Sequence, residues 1–111
     1  MKQGVVYILK CSNGSFYTGV TNDLEERLNL HHRGLASKFT AGHLPVELVW
    51  NSDTMDINDA ISLEKQIKGW RQEKKVALIN EEYEKLPGLA RKYSLKNLDL
   101  PFDGAQGDKS R

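Results

Sequence analysis

Arg27 and His31 stand four residues apart in a segment that reads as helix, so they share one face. A guanidinium and an imidazole held side by side suit a phosphate and the charge that develops on it during displacement. Each also has an ordinary structural reading, Arg27 as the ion-pair partner of an acid such as Asp23 and His31 as a half-buried helix residue. Glu64 is the sharper anomaly. At about 100° per residue it falls inside the arc set by Ala60, Ile61, Leu63 and Ile67. Carboxylates are rarely buried without a partner, so Glu64 either pairs with a cation such as Arg27 or holds a metal. One carboxylate with several waters is how Mg²⁺ usually sits beside phosphates. Tyr7 and Tyr17 are strand residues of the core or half-core on composition alone. With a usual pKa of about 10, a phenol is a poor base unless a cation or metal-bound water lowers the cost. Arg27 can supply that charge, and Lys10 on the first strand can contribute.

These groups need elements to position them. Val5 to Cys11 is apolar and β-rich, Ser12-Asn13-Gly14 is a turn in which Asn-Gly supplies positive φ angles, and Ser15 to Val20 is the returning strand. The hairpin brings Tyr7 and Tyr17 near each other. Asn22 with Glu25 resembles a capping box for a helix running to about Arg33, where Gly34 is a natural terminator. Leu24, Leu28 and Leu35 mark its buried stripe. Lys38 to Pro45 reads as a polar loop, and Val46 to Trp50 as a third strand with Val46, Leu48 and Trp50 on one face. Asp56 or Asn58 caps a second helix that Gly69 ends or bends. A third helix passes through Val76, Leu78 and Ile79, and Glu81 to Leu86 extends or follows it. Pro87-Gly88 breaks the pattern, Leu89 to Leu95 allows another helical turn or two, and the Asp-, Gly- and Ser-rich stretch 96–111 is expected to be a disordered tail. The expected class is α+β, a small three-stranded antiparallel sheet flanked by helices in the order β-β-α-β-α, with the domain over 1–95.

The 111 residues suit one domain, and the net charge of +1 argues against a protein that coats nucleic acid by bulk charge. The cations are nevertheless segregated. Arg27, Arg33 and Lys38 lie in an acid-free stretch with all three histidines, and Lys65, Lys68, Arg71, Lys74 and Lys75 oppose Glu73 alone, which permits a local anion-binding face. His31, His32 and His43 match no structural zinc spacing. The single cysteine, Cys11, cannot form an internal disulfide, and no apolar stretch of roughly 20 residues is present, so a reducing, cytoplasmic setting without a membrane span is expected.

Val5-Val6-Tyr7, Tyr17-Thr18-Gly19 and the run Tyr17-x-Gly19-x-Thr21-x-x-Leu24-x-x-Arg27-x-x-x-His31, followed by Glu64 in Leu63-Glu64-Lys65-Gln66-Ile67, resemble the GIY-YIG nuclease family over about Val5 to Ile79. The chain is most similar to the small stand-alone bacterial members and also resembles the N-terminal nuclease domain of the excision-repair endonuclease. The resemblance implies a divalent-metal-dependent endonuclease that hydrolyses nucleic acid, DNA ahead of RNA, in repair or processing. Tyr17, with Tyr7, would position or deprotonate the attacking water, Arg27 would hold the scissile phosphate, and His31 would relay a proton or bond the phosphate. Glu64 would hold Mg²⁺ or Mn²⁺. Lys38, Lys65, Lys68, Arg71, Lys74 and Lys75 are the candidate phosphate contacts, and Trp70 can stack on a base or belong to the core. With no targeting domain apparent, a protein partner would supply specificity. The alternative is a non-catalytic nucleic-acid-binding module that keeps the fold.

Overall fold

The computed structural model describes residues 2–86 and Gly88. The possible turn at Leu89 to Leu95 and the tail expected over 96–111 lie outside the described residues. The first strand, β1 (Gln3–Lys10), is apolar at consecutive positions because both of its faces are covered. It pairs antiparallel with β2 (Phe16–Thr21) on one side and with β3 (Glu47–Asn51) on the other, giving the order β2-β1-β3. A two-residue strand, β4 (Met55–Asp56), pairs with Gln3 and Gly4 and continues the antiparallel run that β3 begins. The three-stranded sheet expected from the sequence therefore carries this short fourth segment.

Side chains alternate across β1. Val6 and Ile8 face a core built with Trp50, Met55, Ala60, Leu63, Ile67, Leu78 and Leu86. Its helices are α3 (Ile57–Lys68) and α4 (Gln72–Ile79), followed by a 3₁₀ turn at Tyr83–Lys85. Tyr7, Leu9 and Cys11 face the opposite cluster, with Val46, Leu48 and the Leu24 and Leu28 side chains of α1 (Leu24–His32). Helices thus lie on both sides of the sheet, and the site draws on both.

Several local expectations are corrected. Gly14 takes φ +87°, but Asn13 is not in the left-handed region; its side chain instead accepts from the Ser15 amide. The α1 cap is Asp23, accepting from the Glu26 amide, one residue after the expected Asn22/Glu25 pair. Gly34 is left-handed as its position suggested, at φ +74°. Leu35 is exposed and forms no part of the buried stripe. The loop from Lys38 contains a short helix, α2 (Lys38–Ala41), capped by Ser37. Val46 and Leu48 do face one way, but Trp50 faces the other. The register shifts between Ile8 and Leu9, whose partners are Trp50 and Leu48, so Val49 is an extra residue that reverses the alternation.

Among the described residues no helix is long and apolar enough to cross a membrane. Thr18, opposite Ile8 on the α3 side, is buried, and its Oγ1 has no hydrogen-bond partner among the described residues. Replacing an unsatisfied buried hydroxyl by a methyl of similar shape removes a desolvation cost. Thr18→Val is expected to stabilise the domain by about 1 kcal/mol, read as a higher urea midpoint with an unchanged slope; a lower midpoint would contradict the packing described.

Candidate active site

Hairpin register sets the site. Tyr7 lies opposite Gly19, and Tyr17 lies opposite Leu9, so the two tyrosines are diagonal neighbours on one face with ring centroids 6.4 Å apart. Gly19 is a steric necessity. A Cβ there would stand 2.5 Å from the Tyr7 hydroxyl and 2.6 Å from the ring carbon that bears it. The tyrosine ring crosses β2 through the space that the missing side chain leaves.

The Tyr7 Oη then lies 2.7 Å from His31 Nε2, and His31 Nδ1 lies 2.9 Å from Thr40 Oγ1. The Thr40 hydroxyl donates to the Ser37 carbonyl. The same hydroxyl lies 3.1 Å from Ser37 Oγ, so a hydrogen-bonded chain runs Tyr7–His31–Thr40–Ser37 with both His31 nitrogens partnered. Tyr7, His31 and Thr40 are completely buried. His31, for which half-burial was the structural alternative, is a core histidine hydrogen-bonded at both nitrogens. Burial first, then the charges of Arg27 and His32, lowers its pKa from the usual 6.5, which keeps the ring neutral at pH 7. Burial, reinforced by Tyr17, pushes the Tyr7 hydroxyl up to about 12.

Two charged groups act on Tyr7 from opposite layers. Arg27, on α1, favours the phenolate, and Glu64, on α3, opposes it. Arg27 is half-buried and in electrostatic reach of both Tyr7 and His31. Tyr7, His31 and Arg27 are therefore brought together from β1 and α1, with Glu64 of α3 in electrostatic range of Tyr7. Tyr17 joins them through its ring, 5.2 Å from that of His31. It is half-buried, so unlike Tyr7 it also reaches solvent.

Glu64 keeps 15% of its side chain exposed and pairs with Lys68 at 3.0 Å, not with Arg27. Lys68 is 53% exposed and free to move away. Among the described residues no group of three or more His, Cys, Asp or Glu side chains gathers to enclose an ion. A single carboxylate with part of its surface in solvent suits a hard cation that keeps most of its waters and displaces Lys68, so Glu64 fits a divalent metal of the Mg²⁺ type.

A model of the GIY-YIG catalytic domain matches residues 3–77. This chain belongs to the GIY-YIG family. The family's two signature tripeptides stand here as Val5-Val6-Tyr7 and Tyr17-Thr18-Gly19, the two segments that the register lays side by side. Membership implies a nuclease domain acting on nucleic acid, with divalent metals in general use in the family. The UPF0213 proteins of Staphylococcus aureus strains Mu50 and N315 are each 40% identical over 81 residues, which is 73% of this chain and 99% of theirs. The UPF0213 protein of Bacillus halodurans, solved by solution NMR, is 33% identical; the match covers 79% of this chain and 97% of that one, with a TM-score of 0.48.

The candidate phosphate-binding residues do not form one patch. Lys68 is engaged by Glu64. Arg71 and Lys74 line an open groove of about 870 Å³ with Trp70, Glu73, Glu82 and Lys85. Trp70 packs partly against the core, and Lys74 Nζ sits 4.8 Å from its ring centroid, so that face is already covered. Lys65 is exposed on α3, Lys75 is half-buried on α4, and Lys38 stands apart on α2.

Sequence reasoning missed Thr40. The signal was present in Ser37-x-x-Thr40, where Ser37 caps the short helix and its hydroxyl accepts from the Thr40 amide. Thr40→Val leaves His31 Nδ1 buried without its hydrogen-bond partner. It is expected to cost about 1–3 kcal/mol in urea unfolding, whereas Thr40→Ser retains most of the stability. Equal stability for both variants would show that the hydroxyl is not needed.

Proposed function

We propose that this protein is a divalent-metal-dependent endonuclease that hydrolyses DNA phosphodiester bonds, serving DNA repair or processing in the cytoplasm. The observation that carries the reading is the buried Tyr7–His31 hydrogen bond with Arg27 acting on both groups, and Glu64 within electrostatic range of Tyr7 from the other layer. Such a grouping has no use in a module that merely binds.

In this reading each residue acts by its own chemistry. Arg27 binds the scissile phosphate and stabilises the charge that builds on its oxygens, a role for which its fork of donors is suited. Its positive charge is available because the nearest buried partners, Tyr7 and His31, are neutral. Tyr17 orients the attacking water and takes its proton. It is favoured over Tyr7 because it reaches solvent, while Tyr7 is buried and holds its own proton to about pH 12. The Tyr7 hydroxyl is held in place by its hydrogen bond to His31. His31, fixed by Thr40, holds Tyr7 in register. Glu64 would hold Mg²⁺ or Mn²⁺, which when bound supplies positive charge to the leaving oxygen. Lys38, Lys65, Lys68, Arg71, Lys74 and Lys75 are exposed or partly exposed contacts for flanking phosphates, and a protein partner directs the domain to its target. Phosphoryl transfer depends on such positioning and neutralisation more than on covalent help.

The test is cutting of end-labelled duplex, single-stranded and branched DNA with Mg²⁺ or Mn²⁺, beside a chelator control. Tyr17→Phe and Glu64→Ala should each lower the rate by about 10²-fold or more while leaving the fold intact by circular dichroism. Cutting that persists equally in both variants would overturn the site. Salt-sensitive DNA binding without cutting in wild type would favour the binding-module alternative.

A further inference from the structure

Two of the assignments above meet at one ion pair. Glu64 is the carboxylate that fits a divalent cation, and Lys68 is a candidate contact for a substrate phosphate. In the structure each occupies the other, with Lys68 Nζ 3.0 Å from Glu64 Oε2. While the pair is closed, neither is free for its own ligand. A carboxylate oxygen bonded to an ammonium is not open to a hard cation that needs oxygen ligands. An ammonium neutralised by a carboxylate has little attraction left for a phosphate.

The pair forms readily and opens readily. Both residues lie on α3, four apart, with the acid N-terminal to the base, which is the favoured order for such a pair. Their surroundings differ. Glu64 is 15% exposed, on a helix whose Ala60, Leu63 and Ile67 are buried, and it stands within electrostatic range of Tyr7. Its place is set by the packing of the helix. Lys68 is 53% exposed, in the last helical turn before Gly69, so its ammonium has solvent to move into. Ion pairs with an exposed partner are weak, and a divalent cation or a phosphate can compete for either half.

We propose that Lys68 is a built-in counterion for Glu64 that leaves it for a substrate phosphate, so that nucleic-acid binding and divalent-cation binding favour each other. This rests on the assignment of Glu64 to the metal in the nuclease reading, and deepens it by naming how the site is regulated. Without nucleic acid, Lys68 neutralises Glu64 and keeps its affinity for a cation low. A phosphate draws Lys68 away and opens the carboxylate. The coupling is reciprocal: the factor by which phosphate raises cation affinity is the factor by which the cation raises phosphate affinity. The exchange moves one ammonium group and transfers no proton.

Two binding measurements on the full chain, at one pH and ionic strength, test this without any cutting. In the first, Mn²⁺ binding without nucleic acid is followed by electron paramagnetic resonance of the free ion. Lys68→Met should bind Mn²⁺ at least about threefold more tightly than wild type. Lys68→Arg, which can close the same pair, should stay within about twofold of wild type, and Glu64→Ala should lose the site. In the second, a fluorescent DNA duplex is titrated in chelator. Glu64→Ala should bind it about threefold more tightly than wild type, because Lys68 is released. That gain should disappear when Glu64→Ala is added to Lys68→Met, since two independent effects would add instead. Circular dichroism confirms that each variant is folded. Equal Mn²⁺ affinity in wild type and Lys68→Met, equal tightening by Lys68→Arg, or a DNA-binding gain that survives without Lys68 would each overturn the exchange and leave the nuclease reading standing. Absence of Mn²⁺ binding by every variant would overturn the metal assignment of Glu64 together with the exchange. Both expected results in a wild-type protein that cuts no DNA would keep the exchange and remove the hydrolysis.

Discussion

A tyrosine ring occupies the place where the glycine opposite it has no side chain, and the site is arranged around that contact. Tyr7 on β1 lies across from Gly19 on β2, and no larger residue than glycine leaves room for the ring to pass. From there the phenol meets His31, His31 meets Thr40, and the short α2 helix is drawn against α1. One pairing register in the sheet thus fixes the depth of a histidine on one helix and the placement of a second. Shifting the hairpin by one residue would move Tyr7 to the opposite face and separate every member of the chain.

Burial gives this chain of hydrogen bonds its electrostatic character. Desolvation raises Tyr7 and lowers His31, so both stay neutral over the physiological range. The cation of α1 and the anion of α3 both act on Tyr7, in opposite senses. Had Arg27 paired with Glu64, each would have cancelled the other. Instead Glu64 takes the exposed Lys68 as its partner, and Arg27 keeps its charge for an anion. The same low exposure that makes Tyr7 a poor base makes it a firm support for groups that meet solvent, Tyr17 among them.

Much of this arrangement is legible in the sequence, because it depends on local periodicity. The hairpin, the α1 face shared by Arg27 and His31, and the anomalous position of Glu64 all follow from spacing along one or two elements. What spacing does not reveal depends on tertiary contacts. The extra residue at Val49 turns Trp50 to the other face, a shift that no alternation rule contains. Thr40 sits in a stretch too short and polar to read as helix, yet Ser37 caps it and His31 requires it. Arg27 is the conspicuous cation for Glu64, but the partner is Lys68, one turn further along the same helix. Leu35 fits the helical spacing of Leu24 and Leu28, but the chain has already turned at Gly34, so it points to solvent.

The most direct measurement is the metal-dependent cutting rate of Tyr7→Phe beside its thermal stability. Phenylalanine keeps the ring over Gly19 and removes only the hydroxyl that joins His31 to the site. A rate lowered by at least about tenfold, with a folded protein and DNA binding close to wild type, is the expected result. A fully active Tyr7→Phe protein would contradict it, and would mean that the buried hydrogen-bonded chain holds the fold together without serving the reaction.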